Sequence, residues 1–85
     1  MSTLGLMSLD PNTVLQELLG RRIRSRRELM GVSQEEMAAR CGLHRTYYGS
    51  VERGERNIAL QNIVRISDAL GVDPSELVEG LTLTT

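Results

Sequence analysis

Gln34 to Arg53, QEEMAARCGLHRTYYGSVER, places apolar or small residues at Met37, Ala38, Cys41, Leu43, Tyr48 and Val51, with Gly42 ahead of the second cluster. That spacing predicts two short helices joined by a tight turn, a helix-turn-helix. Helices meeting at roughly 90 to 120° leave room only for a small side chain at their crossing, which Ala38 supplies. The first helix must then stop at a residue that tolerates a left-handed backbone, at almost no cost for glycine. Gly42 stands at that point.

The flanking residues agree with these boundaries. Ser33 and Glu36 form a capping box, and Val32 with Met37 has the spacing of a hydrophobic staple, so a helix is expected over 34–41. Leu43 and Tyr48 repeat the staple around His44, a poor capping residue, and predict a second helix over 45–53 that ends at Gly54.

Working outward, three further helices are expected, making the chain all-α. The first has Asp10 as cap, Pro11 in its first turn and a Leu9–Val14 staple; its buried stripe is Leu15, Leu18, Leu19, Ile23 and Met30, Gly31 stops it, and Gly20 is a candidate bend. The fourth helix starts near Asn57 or Ala59, turns Leu60, Ile63, Ile66 and Leu70 inward and closes at Gly71. Asp73, Pro74 and Glu76, between Val72 and Leu77, open a short fifth one. Residues 1–9 are expected to be a flexible arm, with Met7 a possible alternative start, 10–80 the folded domain and 81–85 a tail.

Composition excludes several functional classes. The 85 residues contain 40% apolar side chains but neither Trp nor Phe. A chain of this size buries about 60 to 70% of its unfolded surface, so self-association is an expected source of stability. One cysteine, Cys41, precludes an internal disulfide; a single histidine, His44, gives no zinc spacing, so no metal or cofactor is expected. Cys41 is read as a small core residue. Neither paired carboxylates nor a glycine-rich phosphate loop appears, which argues against an enzyme, and no small-molecule ligand is evident. MSTLGLMSL lacks a basic lead region and a long apolar run, so no membrane association is expected and the cytoplasm is the expected compartment.

Net charge is -1, which alone would discourage a nucleic-acid partner. Its distribution reverses that impression. Between Arg21 and Arg56 nine arginines stand against five glutamates, a local surplus of four, and both flanks are acidic. A basic face with acids elsewhere is a footprint for phosphate, although arginines such as Arg21, Arg22 and Arg24 taken singly also fit a solvated helix.

On the second helix of the motif, three- and four-residue spacing puts 45, 46, 49, 50 and 53 outward and Tyr48, Val51 and Glu52 inward. The N-terminal residues of such a helix reach base edges in the major groove, and arginine is the natural bidentate donor to guanine. Arg45 is therefore the expected base reader, with Thr46 and Ser50 beside it, and Tyr47 reaches a base or a phosphate from the rim. Gly49 fits a close approach of the DNA backbone or chance drift alike. Gln34 joins an amide side chain to the free N–H groups of a helix start, a seat for phosphate. Glu52 faces inward, where an unpaired carboxylate is costly, and requires a cationic partner.

SQEEMAARCGLHRTYYGSVERGERN followed by LQNIVRISDALGVDPSEL resembles the Cro/C1-type (XRE-like) family over roughly residues 19–78. HRTY and GSVERGERN are most similar to the controller proteins of restriction-modification systems within it. The resemblance implies a five-helix, lambda-repressor-like domain that binds double-stranded DNA at the nucleoid. It also implies a homodimer on pseudo-palindromic operators ahead of its own gene and the endonuclease gene, activating at one occupancy and repressing at a higher one. By the same resemblance, Gln34, Arg53, Arg56 and Asn57 grip the phosphate backbone, and Arg27 is the partner of Glu52. Tyr48 replaces an aliphatic residue of the family and needs a partner for its hydroxyl, Ala59 replaces a hydroxyl residue, and Arg26 stands where an apolar residue is usual.

Leftover apolar residues at Ile66, Leu70, Leu77, Val78 and Leu81 are expected to form a two-fold interface, against the alternative that they complete a monomer core. The competing functions are a phage-type repressor, or an antitoxin or adaptor that uses its helix-turn-helix to bind a protein. EGLTLTT, residues 79–85, is the only extension available for the latter.

Overall fold

A computed structural model describes residues 10–83. The expected arm over 1–9 and the last two residues of the expected tail lie outside them. Among the described residues there are five helices and no strand: α1 (Pro11–Leu29), α2 (Gln34–Cys41), α3 (Arg45–Glu52), α4 (Leu60–Leu70) and α5 (Pro74–Val78).

Local chemistry sets the boundaries. The side chains of Asp10, Ser33 and Asp73 accept from the backbone N–H groups of Asn12, Glu36 and Ser75, satisfying donors that a helix start leaves unpaired. His44 does the same for α3, its Nδ1 accepting from the N–H of Thr46 at 3.1 Å, so the poor capping residue caps after all. At the end of α2, Gly42 adopts φ 72°, and the N–H groups of Gly42 and Leu43 return to the carbonyls of Ala39 and Ala38. This is the Schellman pattern. The ends of α1, α3 and α4 carry the same pair of bonds. Ala59 caps α4 without a side-chain bond.

The helices enclose a core of Leu19, Ile23, Val32, Met37, Ala38, Cys41, Tyr48, Val51, Ile66, Leu70 and Leu77. Ala38 is buried in it, and burial pushes the thiol of Cys41 up to about 11. Arg22 closes the far end of the bundle, its Nη1 donating to the carbonyls of Leu77 at 3.0 Å and Glu79 at 2.6 Å. Arg26 reaches the same element, donating to Glu76 at 2.8 Å, which accounts for a charge where an apolar residue is usual.

Gly20 lies within one unbroken helix and lets α1 lie against the backbone of α3, for a Cβ there would stand 2.5 Å from the Glu52 carbonyl oxygen. Three expectations need correction. Leu18, Met30 and Leu60 point outward rather than into the core, and Leu60 is 73% exposed. Ile66, Leu70 and Leu77 are buried within this single chain and are not available to a two-fold interface. Of the expected interface residues, Val78 is exposed and Leu81 packs partly buried against the core. Ser50, expected outward, is buried. Helical spacing misjudged Leu18, Met30, Leu60 and Ser50 because neighbouring helices and loops, not the helix's own period, decide which flank of a helix is covered.

Candidate nucleic-acid interface

Three helices meet on one buried carboxylate. Glu52, its side chain 1% exposed, accepts from Arg27 Nε at 2.7 Å and Nη2 at 3.0 Å, from the Tyr48 hydroxyl at 2.6 Å and from Gln34 Nε2 at 2.8 Å. Arg27 spends its remaining terminal nitrogen on the Val32 carbonyl at 2.9 Å. Burial alone would raise the Glu52 carboxyl, but the bonds from Arg27, Tyr48 and Gln34 outweigh it and hold the group below its ordinary value. The same contact raises Arg27, and burial together with Glu52 raises the Tyr48 hydroxyl. This network ties α1, α2 and α3 together and supplies the partner that the Tyr48 hydroxyl needed. No buried side-chain polar atom among the described residues lacks a partner.

Outside this anchor, the start of α3 and the start of α2 border an open groove lined by Gln34, Glu35, Arg45, Thr46, Gly49 and Arg53. Arg45 and Thr46 stand exposed on its rim. Arg45 is not idle: Nη1 pairs with Glu35 across the groove, both side chains 68% exposed. An ion pair so open to water contributes little to stability, so the pairing is readily exchanged for another acceptor. Nothing in the sequence marked Glu35 for this role, because the pair is ten residues apart and spans the turn. Gly49 is covered by side-chain ends, Arg53 Nη1 at 3.2 Å and Gln34 Oε1 at 3.6 Å from where its Cβ would be.

The other expected contact residues divide. Gln34 spends one amide hydrogen on Glu52 and keeps the rest of its carboxamide at the surface. Arg53 is exposed and pairs with Glu55 at 3.1 Å, and that bond lowers the Glu55 carboxyl. Arg56 and Asn57 are exposed in the loop after α3. Tyr47 is half-buried, its ring packed against the core and its hydroxyl accepting from Asn62 of α4 at 3.2 Å. The Ser50 hydroxyl donates to the Tyr47 carbonyl at 2.6 Å and accepts from Arg56 Nε at 2.9 Å. A base contact by Ser50 is thereby corrected: its oxygen is enclosed by the protein and already engaged.

Among the described residues no group of three His, Cys, Asp or Glu is placed to hold a metal ion, and no helix is long and apolar enough to cross a membrane.

A family model described as helix-turn-helix matches residues 23–77. The chain is 46% identical over 67 residues to the control protein C.BamHI of Bacillus amyloliquefaciens, covering 78% of this chain and 83% of that protein. The crystal structure of the restriction-modification controller protein C.AhdI from Aeromonas hydrophila superposes with a TM-score of 0.72 at 45% identity, over 73% of this chain and 94% of that one. The DNA-binding domain of the P22 C2 repressor gives 0.71 at 30% identity, over 82% and 93%.

Proposed function

Because this chain belongs to the helix-turn-helix family of DNA-binding transcriptional regulators, we propose that it is the controller protein of a restriction-modification system. On this reading it acts at the nucleoid as a homodimer on a pseudo-palindromic operator, regulating its own gene and that of an endonuclease. The likeness to the control protein C.BamHI over 83% of its length carries the proposal, and the exposed first turn of α3 supports it. The chemistry is recognition, not catalysis.

Arg45 and Thr46 project where a helix seated in the major groove meets base edges, and Gln34, Arg53, Arg56 and Asn57 flank them as phosphate contacts. Arg45→Ala is expected to cost about 1 to 3 kcal/mol on the operator and to relax base preference at one position per half-site. Binding selections with randomised operators read this directly. An equal loss on all sequences would instead assign Arg45 to the backbone.

Glu35 competes with DNA for Arg45 and places a negative charge on the approaching face. Glu35→Gln is expected to tighten binding several-fold at low salt, and the gain should fade as salt screens the carboxylate. Anisotropy titrations at two salt concentrations check the sign.

Dimerisation would use what the single chain leaves exposed: Val78, together with Leu60 and Val64 one turn apart on α4. A two-fold pairing would set two α3 helices about 34 to 36 Å apart, one turn of B-DNA. Val64→Glu is expected to shift the chain to monomer in sedimentation and to weaken binding to a two-half-site duplex far more than to a single half-site. A methyltransferase gene and an endonuclease gene beside this one would support the narrower assignment.

A further inference from the structure

Arg56 differs from the other two arginines near the exposed face of α3. Arg45 and Arg53 are both paired to glutamates, Glu35 and Glu55. Arg56 is held instead through its inner nitrogen: Nε donates to Ser50 Oγ at 2.9 Å, and its Cζ stands 5.6 Å from the centroid of the Tyr47 ring. Ser50 is fixed in turn, 4% exposed and donating to the Tyr47 carbonyl at 2.6 Å, while Asn62 Nδ2 secures the Tyr47 hydroxyl at 3.2 Å. Neither terminal nitrogen of Arg56 has a hydrogen bond or a carboxylate within ion-pair distance among the described residues.

A long, flexible side chain is thus anchored at its base and along one plane, with its two forked donors left over. That is the geometry a bidentate contact to a phosphate needs, with part of arginine's rotamer freedom already surrendered before the ligand arrives. We propose that Tyr47, Ser50 and Asn62 are positioning residues that preset Arg56 as a fork for a phosphodiester of the DNA backbone. The assignment rests on the reading that α3 faces DNA. It also gives a role to Ser50, an expected base reader that the fold buries, and to the half-buried Tyr47, and it adds Asn62, which lies on α4 and carries no signal in the sequence. Through Asn62, whose amide bonds Tyr47 of α3 from α4, the setting of the fork depends on how α4 docks against α3.

The test is a double-mutant cycle on the full chain, read by anisotropy on a labelled mixed-sequence DNA duplex over a salt series. Such a probe responds to phosphate contacts and not to base reading. Arg56→Ala is expected to reduce the slope of log affinity against log salt by about 0.9. Ser50→Ala and Asn62→Ala are each expected to weaken binding roughly three- to tenfold in the wild-type background and to have no further effect once Arg56 is alanine. Asn62→Ala, at a half-buried site, carries the cycle if Ser50→Ala fails to fold. Equal losses in both backgrounds would make these residues merely structural and overturn the proposal. So would an unchanged salt slope in Arg56→Ala with wild-type binding intact. A wild-type chain that does not bind the duplex at all would overturn the DNA-facing reading together with the fork.

Discussion

Glu52→Gln is expected to destabilise the fold by on the order of 3 to 5 kcal/mol, the cost of leaving a buried charge without its partner. The substitution keeps shape and volume, so packing is not the issue. Every group that faces the carboxylate is a donor: two nitrogens of Arg27, the Tyr48 hydroxyl and the Gln34 amide. Whichever way the new amide turns, its NH2 points at one of those donors, and the guanidinium of Arg27 remains in a site with 11% side-chain exposure without the carboxylate it is bonded to. For a domain whose whole stability is about 5 to 15 kcal/mol, that is a large fraction. With roughly 4 to 8 °C of melting temperature per kcal/mol in a chain of this size, thermal unfolding should shift down by well over 10 °C.

The same substitution predicts a pH dependence. The folded state holds the Glu52 carboxyl below its ordinary value, so the native state binds the proton less readily than the unfolded chain. The resulting stability is fully present above the unfolded pKa, near the ordinary carboxylate value of 4.5, and is lost as pH falls through the lower folded value. The gap between wild type and Glu52→Gln should therefore be widest near neutrality and close in acid. Chemical denaturation at a series of pH values measures it; a gap that is constant, or that widens in acid, contradicts the network.

The second large effect concerns Gly20, where two principles give opposite signs. Mid-helix, alanine is favoured over glycine by about 0.8 to 1 kcal/mol, so propensity alone predicts that Gly20→Ala stabilises. Contact predicts the reverse. The added Cβ would stand 2.5 Å from the Glu52 carbonyl oxygen, 2.6 Å from that of Val51 and 2.9 Å from the Glu52 carbonyl carbon. All three are backbone atoms and cannot swing aside, so α1 and α3 must separate, opening the core they share and straining the Arg27–Glu52 bond between them. A cost of about 1 to 3 kcal/mol or more is expected for such overpacking, net of the propensity gain. Gly49→Ala is the built-in contrast: its nearest neighbours are the ends of the Arg53 and Gln34 side chains, which can move, so the fold should tolerate it. A melt in which Gly20→Ala gains stability would mean that the two helices do not cross in backbone contact.

Where the sequence succeeded, the information was local. Ser33 with Glu36, Asp73 with Pro74, and Gly42 after an apolar turn act within a few residues, and the helices begin and end accordingly. The partner of Glu52 was legible in two steps: its position demanded a cation, and the family resemblance named Arg27. What stayed hidden depends on neighbours distant in sequence. Ser50 lies on the outward side of α3 by helical spacing, yet Arg56 folds back over it. Ile66 and Leu70 turn inward as the period of α4 requires, but with Leu77 they also read as a two-fold interface, whereas α4 and α5 close on the core within one chain. Gly20 passed for a weak point because nothing in its own helix records how near α3 comes. Glu35 and Asn62 are polar residues of ordinary kind at unremarked positions, and only the three-dimensional arrangement pairs them with Arg45 and Tyr47.

Hydroxyl-radical footprinting on the DNA upstream of this gene reveals whether paired α3 helices read an operator. Two protected patches are expected, related by a local two-fold and about one helical turn apart, both weakened by Arg45→Ala at protein concentrations where wild type protects. Uniform cleavage at concentrations that saturate non-specific binding would contradict that arrangement.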